Sequence, residues 1–403
     1  MSFQVAKRLN LIQRHVSPDI SVRRMTTEPT LAQSPLVLYD NFDNGLKIVR
    51  LNRPKALNAI NEEMVSSMIN EYSSLFHQSQ KRRVIFLTGE GGKAFCAGGD
   101  IKALQASSAK KDPKLAESFF RSEYKLDYLL WHLNENTISP HPLLKDVTTI
   151  ANMSGITMGG GVGLSISSQI RIVTQNTVFA MPETGIGLFP DVGGTFFLSK
   201  DKLKGPLGVY IGVTGQKLSG ADCIYAGIGT HYVDAQKLGD LLEELKRAEF
   251  SEKDTARKIV EKYSSTPGPS ALAQNEEKIR RHFSEDSVEG IVKSLQSSDD
   301  EWAQKTHQTV MSKSPSSMKV TLRGILTGGG TLHDTFKKEL RMAIHSVLSD
   351  DFAEGVRAVL VDKDNKPKWN PPNLSAVTQE RVDSYFKPVD NVEDLQLDRN
   401  WIH

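Results

Sequence analysis

Two cysteines in 403 residues, Cys96 and Cys223, are too few and too far apart for a disulfide framework or a metal-ligand spacing. That scarcity suits a reducing interior compartment. No apolar run approaches the ~18 residues that a membrane span needs. The formal net charge is only +2, so there is no bulk electrostatic case for binding nucleic acid. Neither glycine loop ends in Gly-Lys-Ser/Thr, which excludes a Walker phosphate loop. GGGVGL lacks the GxGxxG spacing of a dinucleotide loop, and the G-x-S-x-G elbow of a serine hydrolase is missing. His132, His141, His231 and His345 are scattered and form no HExxH pattern. Repeats, low-complexity tracts and Pro-rich linkers are absent too.

What is there is ordinary globular composition, 38% hydrophobic and 24% charged, ample for a large core. Residues 1–34 stand apart. Lys7, Arg8, Arg14, Arg23 and Arg24 are basic, against two acids, Asp19 and Glu28. Phe3, Val5, Leu9, Leu11 and Ile12 could form the apolar face of a helix, and no secretory h-region is present. This is the profile of a mitochondrial transit peptide, cut near Arg24-Met25.

Folding is expected to start near Pro35. Leu36–Tyr39 and Leu46–Leu51 read as strands joined at Asp43-Asn44-Gly45. Asn61 caps a helix with Glu62 and Glu63 in its first turn. Val84–Thr88, Thr148–Asn152, Ile170–Val173 and Val178–Ala180 read as further strands, and Phe119–Leu133 as a long helix. After Gly194 the chain turns helical, with amphipathic stretches from Leu238 to Leu348. Strands linked to helices, then a run of helices, indicate an α/β core with a helical C-terminal part. The expected divisions are 1–34, a core over 35–225 and a helical part over 226–403.

The chemistry is concentrated between Gly155 and Gly194. Gly159-Gly160-Gly161 precedes a helix-like segment, Val162–Ile170, and lets backbone N–H groups approach a ligand unobstructed. Such donors serve a phosphate or an oxyanion. A second loop, Gly98-Gly99, offers the same. Two loops converging on one carbonyl oxygen would make an oxyanion hole. Glu183 and Asp191, eight positions apart on Pro- and Gly-rich backbone, could supply a nucleophile or base and a proton donor. Cys96 reads as a small residue packed in a tight turn rather than a nucleophile.

Four stretches now carry a resemblance: Leu51–Ala59 (LNRPKALNA), Lys93–Asp100, Gly155–Gly163 and Met181–Gly194. Together they are similar to the crotonase (enoyl-CoA hydratase/isomerase) superfamily. The run Asp351–Ala358, with Asp362-Lys363 and Pro367-Lys368-Trp369, resembles its thioester-hydrolase subgroup. The resemblance covers residues 35–385. It implies a crotonase-like spiral of ββα turns and a CoA thioester substrate. The oxyanion donors fall by motif on Gly99 and Gly160, and CoA contacts on Lys55, Ala56 and Leu57. Glu123 matches an acid that contacts the acyl group.

Gly163 discriminates within the superfamily. Similar hydratases carry a glutamate there, in a GGGxE pattern, whereas this chain reads Gly159-Gly160-Gly161-Val162-Gly163. Glu183 matches the second hydratase glutamate, and Asp191 stands where hydratases have glycine. The resemblance therefore implies hydrolysis of (S)-3-hydroxyisobutyryl-CoA to CoA and 3-hydroxyisobutyrate, a step of valine breakdown, with 3-hydroxypropionyl-CoA as an extension of the range. Glu183 and Asp191 would be catalytic, and Glu123 and Gly160 would bind substrate beside them. No metal or organic cofactor is implied. Neither nucleic acid nor membrane is expected as a partner, and a homo-oligomer is open because the superfamily favours trimers and their dimers. The alternatives are an enoyl-CoA hydratase or isomerase, which Gly163 opposes, and a non-catalytic mitochondrial ribosome subunit, which the retained Glu183 and Asp191 oppose. One departure from the family is extra length in Trp131–Lys145, with Pro140 and Pro142 breaking any helix.

Overall fold

The computed structural model describes residues 34–75, 83–134, 147–199, 201–203 and 205–397. The segment expected as a transit peptide lies, but for its last residue, outside them. So does the greater part of the Trp131–Lys145 insertion. From Leu36 onward the described residues form one compact unit.

The core begins with strands β1 (Val37–Asn41) and β2 (Leu46–Leu51), paired antiparallel across the Asn44-Gly45 turn. Gly45 has φ +91°, which glycine adopts without a Cβ penalty. The Asn44 amide donates to the carbonyls of Leu245, Lys246 and Ala248, tying the hairpin to the helical part. Asn61 caps helix α1 (Glu62–Ser74), its side chain accepting from the Met64 N–H. Strands β3 (Arg83–Gly89), β4 (Ala94–Cys96), β5 (Val147–Asn152), β6 (Ile156–Met158), β7 (Ile170–Val173) and β8 (Val178–Ala180) follow in pairs. One member of each pair joins a larger sheet, ordered β1-β2-β3-β5-β7 with His231–Tyr232 at the edge. The other joins a smaller sheet, β4-β6-β8 and Leu218–Ser219. Helices intervene between successive pairs, giving the ββα spiral. The sequence reading missed β4 and β6, because three-residue strands beside glycines carry no alternation to count.

The large sheet is buried on both faces, as a mainly parallel sheet requires. Val84 and Phe86 of β3 pack toward Leu241, Leu245, Ile259 and Val260, whereas Ile85 and Leu87 pack toward Met64, Val65, Met68 and Leu129. That is the period of two along a strand. The long helix α2 (Lys114–Asn134) does the same job in helical register. Leu126, Leu129, Leu130 and Leu133 face the sheet cluster, and Phe119, Phe120, Tyr124 and Tyr128 join the cluster containing Phe336. Helix α3 begins at Gly160 and ends at Ile166, so the glycine run is itself the first turn of the helix rather than its prelude.

Helix α4 (Leu207–Thr214) is buried throughout and leads into the helical part. There, Ser314 caps helix α5 (Pro315–Leu326), with Pro315 at the first helical position rather than in the cap cluster. Helices α6 (Leu332–Val347) and α7 (Asp350–Val356) return against the spiral, α6 beside α2 and α7 beside the Glu183–Ile186 turn. Among the described residues no helix is long and apolar enough to cross a membrane.

Candidate active site

Pairing of β4 with β6, at Ala94↔Ile156 and Cys96↔Thr157, brings the two glycine loops side by side. The Gly160 Cα lies so close to the first loop that a methyl there would be 3.3 Å from the Gly99 nitrogen. Neither the Gly99 nor the Gly160 N–H has a hydrogen-bond acceptor among the described residues. The geometry is that of paired donors open to one carbonyl oxygen. Gly161 is required for a different reason: a methyl would sit 2.4 Å from the Cys96 carbonyl oxygen. Cys96 is fully buried, and burial pushes its thiol up to about 12, which leaves it inert packing.

The LNRPKALNA loop is clamped to the first glycine loop. Asn58, buried at φ +56°, accepts from the Arg53 N–H and donates to the carbonyls of Glu90 and Ala94. Ala97 N–H donates to Leu57 O, and Ile60 N–H to Gly98 O. Arg53 pairs with Asp100 at 3.0 Å. Lys55 and Ala56 are thereby exposed beside the Gly99 loop, with Leu57 half-buried.

Four carboxyl groups are buried around these donors: Glu123 (3% exposed), Asp127 (0%), Glu183 (5%) and Asp191 (4%). Such clustered burial of acids is rare, because desolvation penalises the charged form. Glu123 Oε1 points into the glycine cleft, 2.4 Å from where a methyl on Gly160 would stand and 3.7 Å from one on Gly99. Glu183 Oε1 faces Gly159 at 3.1 Å in the same measure. Glu123 Oε1, Glu183 Oε2 and both oxygens of Asp127 have no hydrogen-bond partner among the described residues. Burial raises Glu123, Asp127 and Glu183 well above the carboxylate range, and mutual repulsion adds to it. Asp191 is raised to about 7 by burial, against the pull of a 2.8 Å hydrogen bond from Tyr124 Oη.

Asp127 has no counterpart in the sequence reading. It lies one helical turn after Glu123, so both project from the same face of α2. Its carboxyl packs against Gly163. A methyl at 163 would come 2.7 Å from Oδ1, 2.9 Å from Oδ2 and 2.8 Å from Val192 Cβ. The space that a side chain at position 163 would need is closed.

Asp191 is held by a turn whose next residue, Val192, has φ +56°. A β-branched residue in the left-handed region costs of order 1–3 kcal/mol. The compensation comes from α6. Glu339, fully buried, accepts from Gly193 N at 2.7 Å, Thr195 N at 2.8 Å and Thr195 Oγ1 at 2.7 Å. Hydrogen bonds to a charged group contribute roughly 1.5–3 kcal/mol each. Glu339 too escaped the sequence reading, since it sits in an unmarked amphipathic helix. Among the described residues no group of three His, Cys, Asp or Glu side chains is arranged to hold a metal ion.

Comparison with known proteins places this geometry. Residues 46–386 match the family described as enoyl-CoA hydratase/isomerase. The chain is 40% identical to "3-hydroxyisobutyryl-CoA hydrolase, mitochondrial" of Xenopus tropicalis, covering 98% of each chain. It is 37% identical to the protein of the same name from Homo sapiens, over 96% of this chain and 95% of the other. Among solved structures it resembles a carnitinyl-CoA dehydratase from Mycobacterium thermoresistibile, with TM-score 0.79 and 33% identity, covering 90% of this chain and 99% of that one.

Proposed function

Because the chain belongs to the enoyl-CoA hydratase/isomerase family, we propose that its acid-lined glycine cleft cleaves a CoA thioester rather than hydrating a double bond. The chain is a mitochondrial acyl-CoA thioester hydrolase that converts (S)-3-hydroxyisobutyryl-CoA to CoA and 3-hydroxyisobutyrate. The observation that carries the choice of chemistry is position 163. It is a glycine, and its surroundings are filled by Asp127 and Val192. A carboxylate cannot stand there to pair with Glu183 over an added water, and the second acid stands instead at Asp191.

In this reading the thioester oxygen sits against the N–H groups of Gly99 and Gly160, which stabilise the charge of the tetrahedral intermediate. Glu183 attacks the carbonyl carbon, the C–S bond breaks, and CoA thiolate leaves with a proton from Asp191. Water then opens the anhydride. Alternatively Glu183 takes a proton from a water that attacks directly; label found in Glu183 after a single turnover in H₂¹⁸O identifies an anhydride opened by water at the Glu183 carboxyl carbon. Glu123 lines the acyl side, and Lys55, Ala56 and Leu57 meet the CoA. The reading calls for no metal or organic cofactor and for no nucleic-acid partner. It includes a homo-oligomer, read by sedimentation.

The test is free-thiol release from 3-hydroxyisobutyryl-, 3-hydroxypropionyl- and isobutyryl-CoA, beside hydration of crotonyl-CoA. Preferential cleavage of the 3-hydroxyacyl esters is expected. Hydration of crotonyl-CoA without any thiol release would sink the hydrolase reading.

A further inference from the structure

Glu183 presents an electrostatic problem. A nucleophile or base must be ionised, yet this carboxyl is buried, and Asp191 and Glu123 both push it toward the protonated form. Several elements pack around the Glu183–Ile186 turn. From α2 comes Glu123, and from the following turn Asp191. Helix α4 contributes Tyr210 as its only titratable group, which stacks on Phe283 and Trp302 instead. From α7 comes Asp351, occupied by the Ser314 hydroxyl and the Asn370 N–H. The cations of α5 are committed elsewhere: Lys319 to Glu289 and the Val377 carbonyl, Arg323 to Asp383.

Lys313 remains. It immediately precedes the cap of α5, in the link that descends from the helical part onto the spiral. The link is fixed to the site by backbone. Ser314 N–H donates to the Thr184 carbonyl at 3.0 Å, one residue from Glu183. Lys313 Nζ consequently lies against the Glu183–Ile186 turn, 3.5 Å from where a methyl on Gly185 would be and 3.7 Å from one on Gly215. Gly215 in turn adjoins Pro182, whose Cα is 3.0 Å from the same point. Lys313 is half-buried, and no hydrogen bond or ion pair of its Nζ is found among the described residues. Glu183 Oε2 is likewise without a partner. Burial lowers Lys313, and Glu183 opposes that fall.

Building on the hydrolase reading, we propose that Lys313 is a positioning residue that supplies the counter-charge for Glu183. Opposite charge within a few ångströms of a buried carboxylate favours its ionised form. Without it, three acids would face one another with nothing to hold the reacting one as an anion.

The test compares wild type, Lys313→Met and Lys313→Arg in thiol release from 3-hydroxyisobutyryl-CoA across pH, with melting temperatures recorded beside each. Removing the cation favours protonated Glu183, so the acid limb of kcat/KM should move up by about one pH unit in Lys313→Met. A unit below the limb that is about a tenfold loss, while the plateau at higher pH stays within about twofold. Lys313→Arg should keep the wild-type limb. A lowered plateau with an unmoved limb would make Lys313 structural and overturn the proposal, as would identical profiles. A second readout does not need turnover: the infrared carboxyl band of Glu183, isolated by subtracting the Glu183→Gln spectrum, should titrate at higher pH in Lys313→Met. If the wild type releases no thiol at any pH, the hydrolase reading fails, and the infrared titration decides the role of Lys313 alone.

Discussion

The strand spiral from β1 through β8, with the turns after it, and the helices that follow α4 contribute to one site in opposite ways. The spiral brings acids: Glu123, Asp127, Glu183 and Asp191 are all buried there, around the two open N–H groups. The helical part brings two supports: Glu339, whose hydrogen bonds from Gly193 and Thr195 clamp the Asp191 turn even though its charge adds to the repulsion on Asp191, and Lys313, whose Nζ lies against the Gly185 side of the Glu183 turn. Within the spiral, residues act as consecutive motifs on loops. Within the helices, single positions act at a distance, each in an otherwise ordinary amphipathic segment. Four desolvated carboxyls would be unfavourable by themselves. The difference teaches that the helical part is a supporting shell for the chemistry as well as a cover for the core.

The comparison can be broken most sharply on the spiral side. Glu183→Gln should reduce kcat by roughly 10⁴-fold or more with ester binding retained, because it removes the charge and keeps the volume. Near-normal thiol release by that variant would remove Glu183 from the centre of the site. The next largest effect is Gly160→Ala. Its methyl would fall 2.4 Å from Glu123 Oε1 and 3.0 Å from Ile60 Cδ1, displacing the N–H donor. The loss should be about 10²–10³-fold in kcat. A change confined to KM would make the loop a binding element only.

The helical side is sharpened by Glu339→Ala, which leaves the Gly193 and Thr195 N–H groups buried and unpaired. Stability should fall by about 2–3 kcal/mol in urea unfolding, with a drop in kcat as Asp191 loses its support. Loss of stability with full kcat would confine Glu339 to the fold. The smallest effect is in pH dependence. Asp191 is raised from 3.8 to about 7, so the native state keeps a proton that the unfolded chain has released. The stability this group contributes is whole below about pH 4 and is lost as pH rises through about 7. Asn cannot ionise, so the melting temperature of Asp191→Asn, relative to wild type, should rise by about 3 °C between pH 5 and pH 8. A difference independent of pH would mean that Asp191 titrates as an ordinary surface acid.

Much of this molecule was legible as sequence. The strand pair around Asn44-Gly45, the Asn61 cap, the long helix through Glu123 and the strands at Ile170–Val173 and Val178–Ala180 all stand where periodicity and turn residues put them. The second sheet was not legible, nor was the start of α3 inside the glycine run. Short strands beside glycines have no alternation, and glycine reads as a breaker even where its missing side chain is what allows a helix turn to touch Cys96.

The sequence by itself determined the family, the two glycine loops, and the pair Glu183 and Asp191 with Gly163 between the loops and the acids. Those are patterns of neighbours along the chain, and turn chemistry and motif spacing are read from neighbours. Only the tertiary structure decided that Glu123 and Asp127 are interior, that Asp127 closes the space at Gly163, and that Lys313 and Glu339 belong to the site. Glu339 reaches Gly193 across 146 residues. A carboxyl's protonation follows from its distance in space to other charges and from the water it has lost. Both depend on how the spiral and the helices pack together, and neither leaves a period in the sequence.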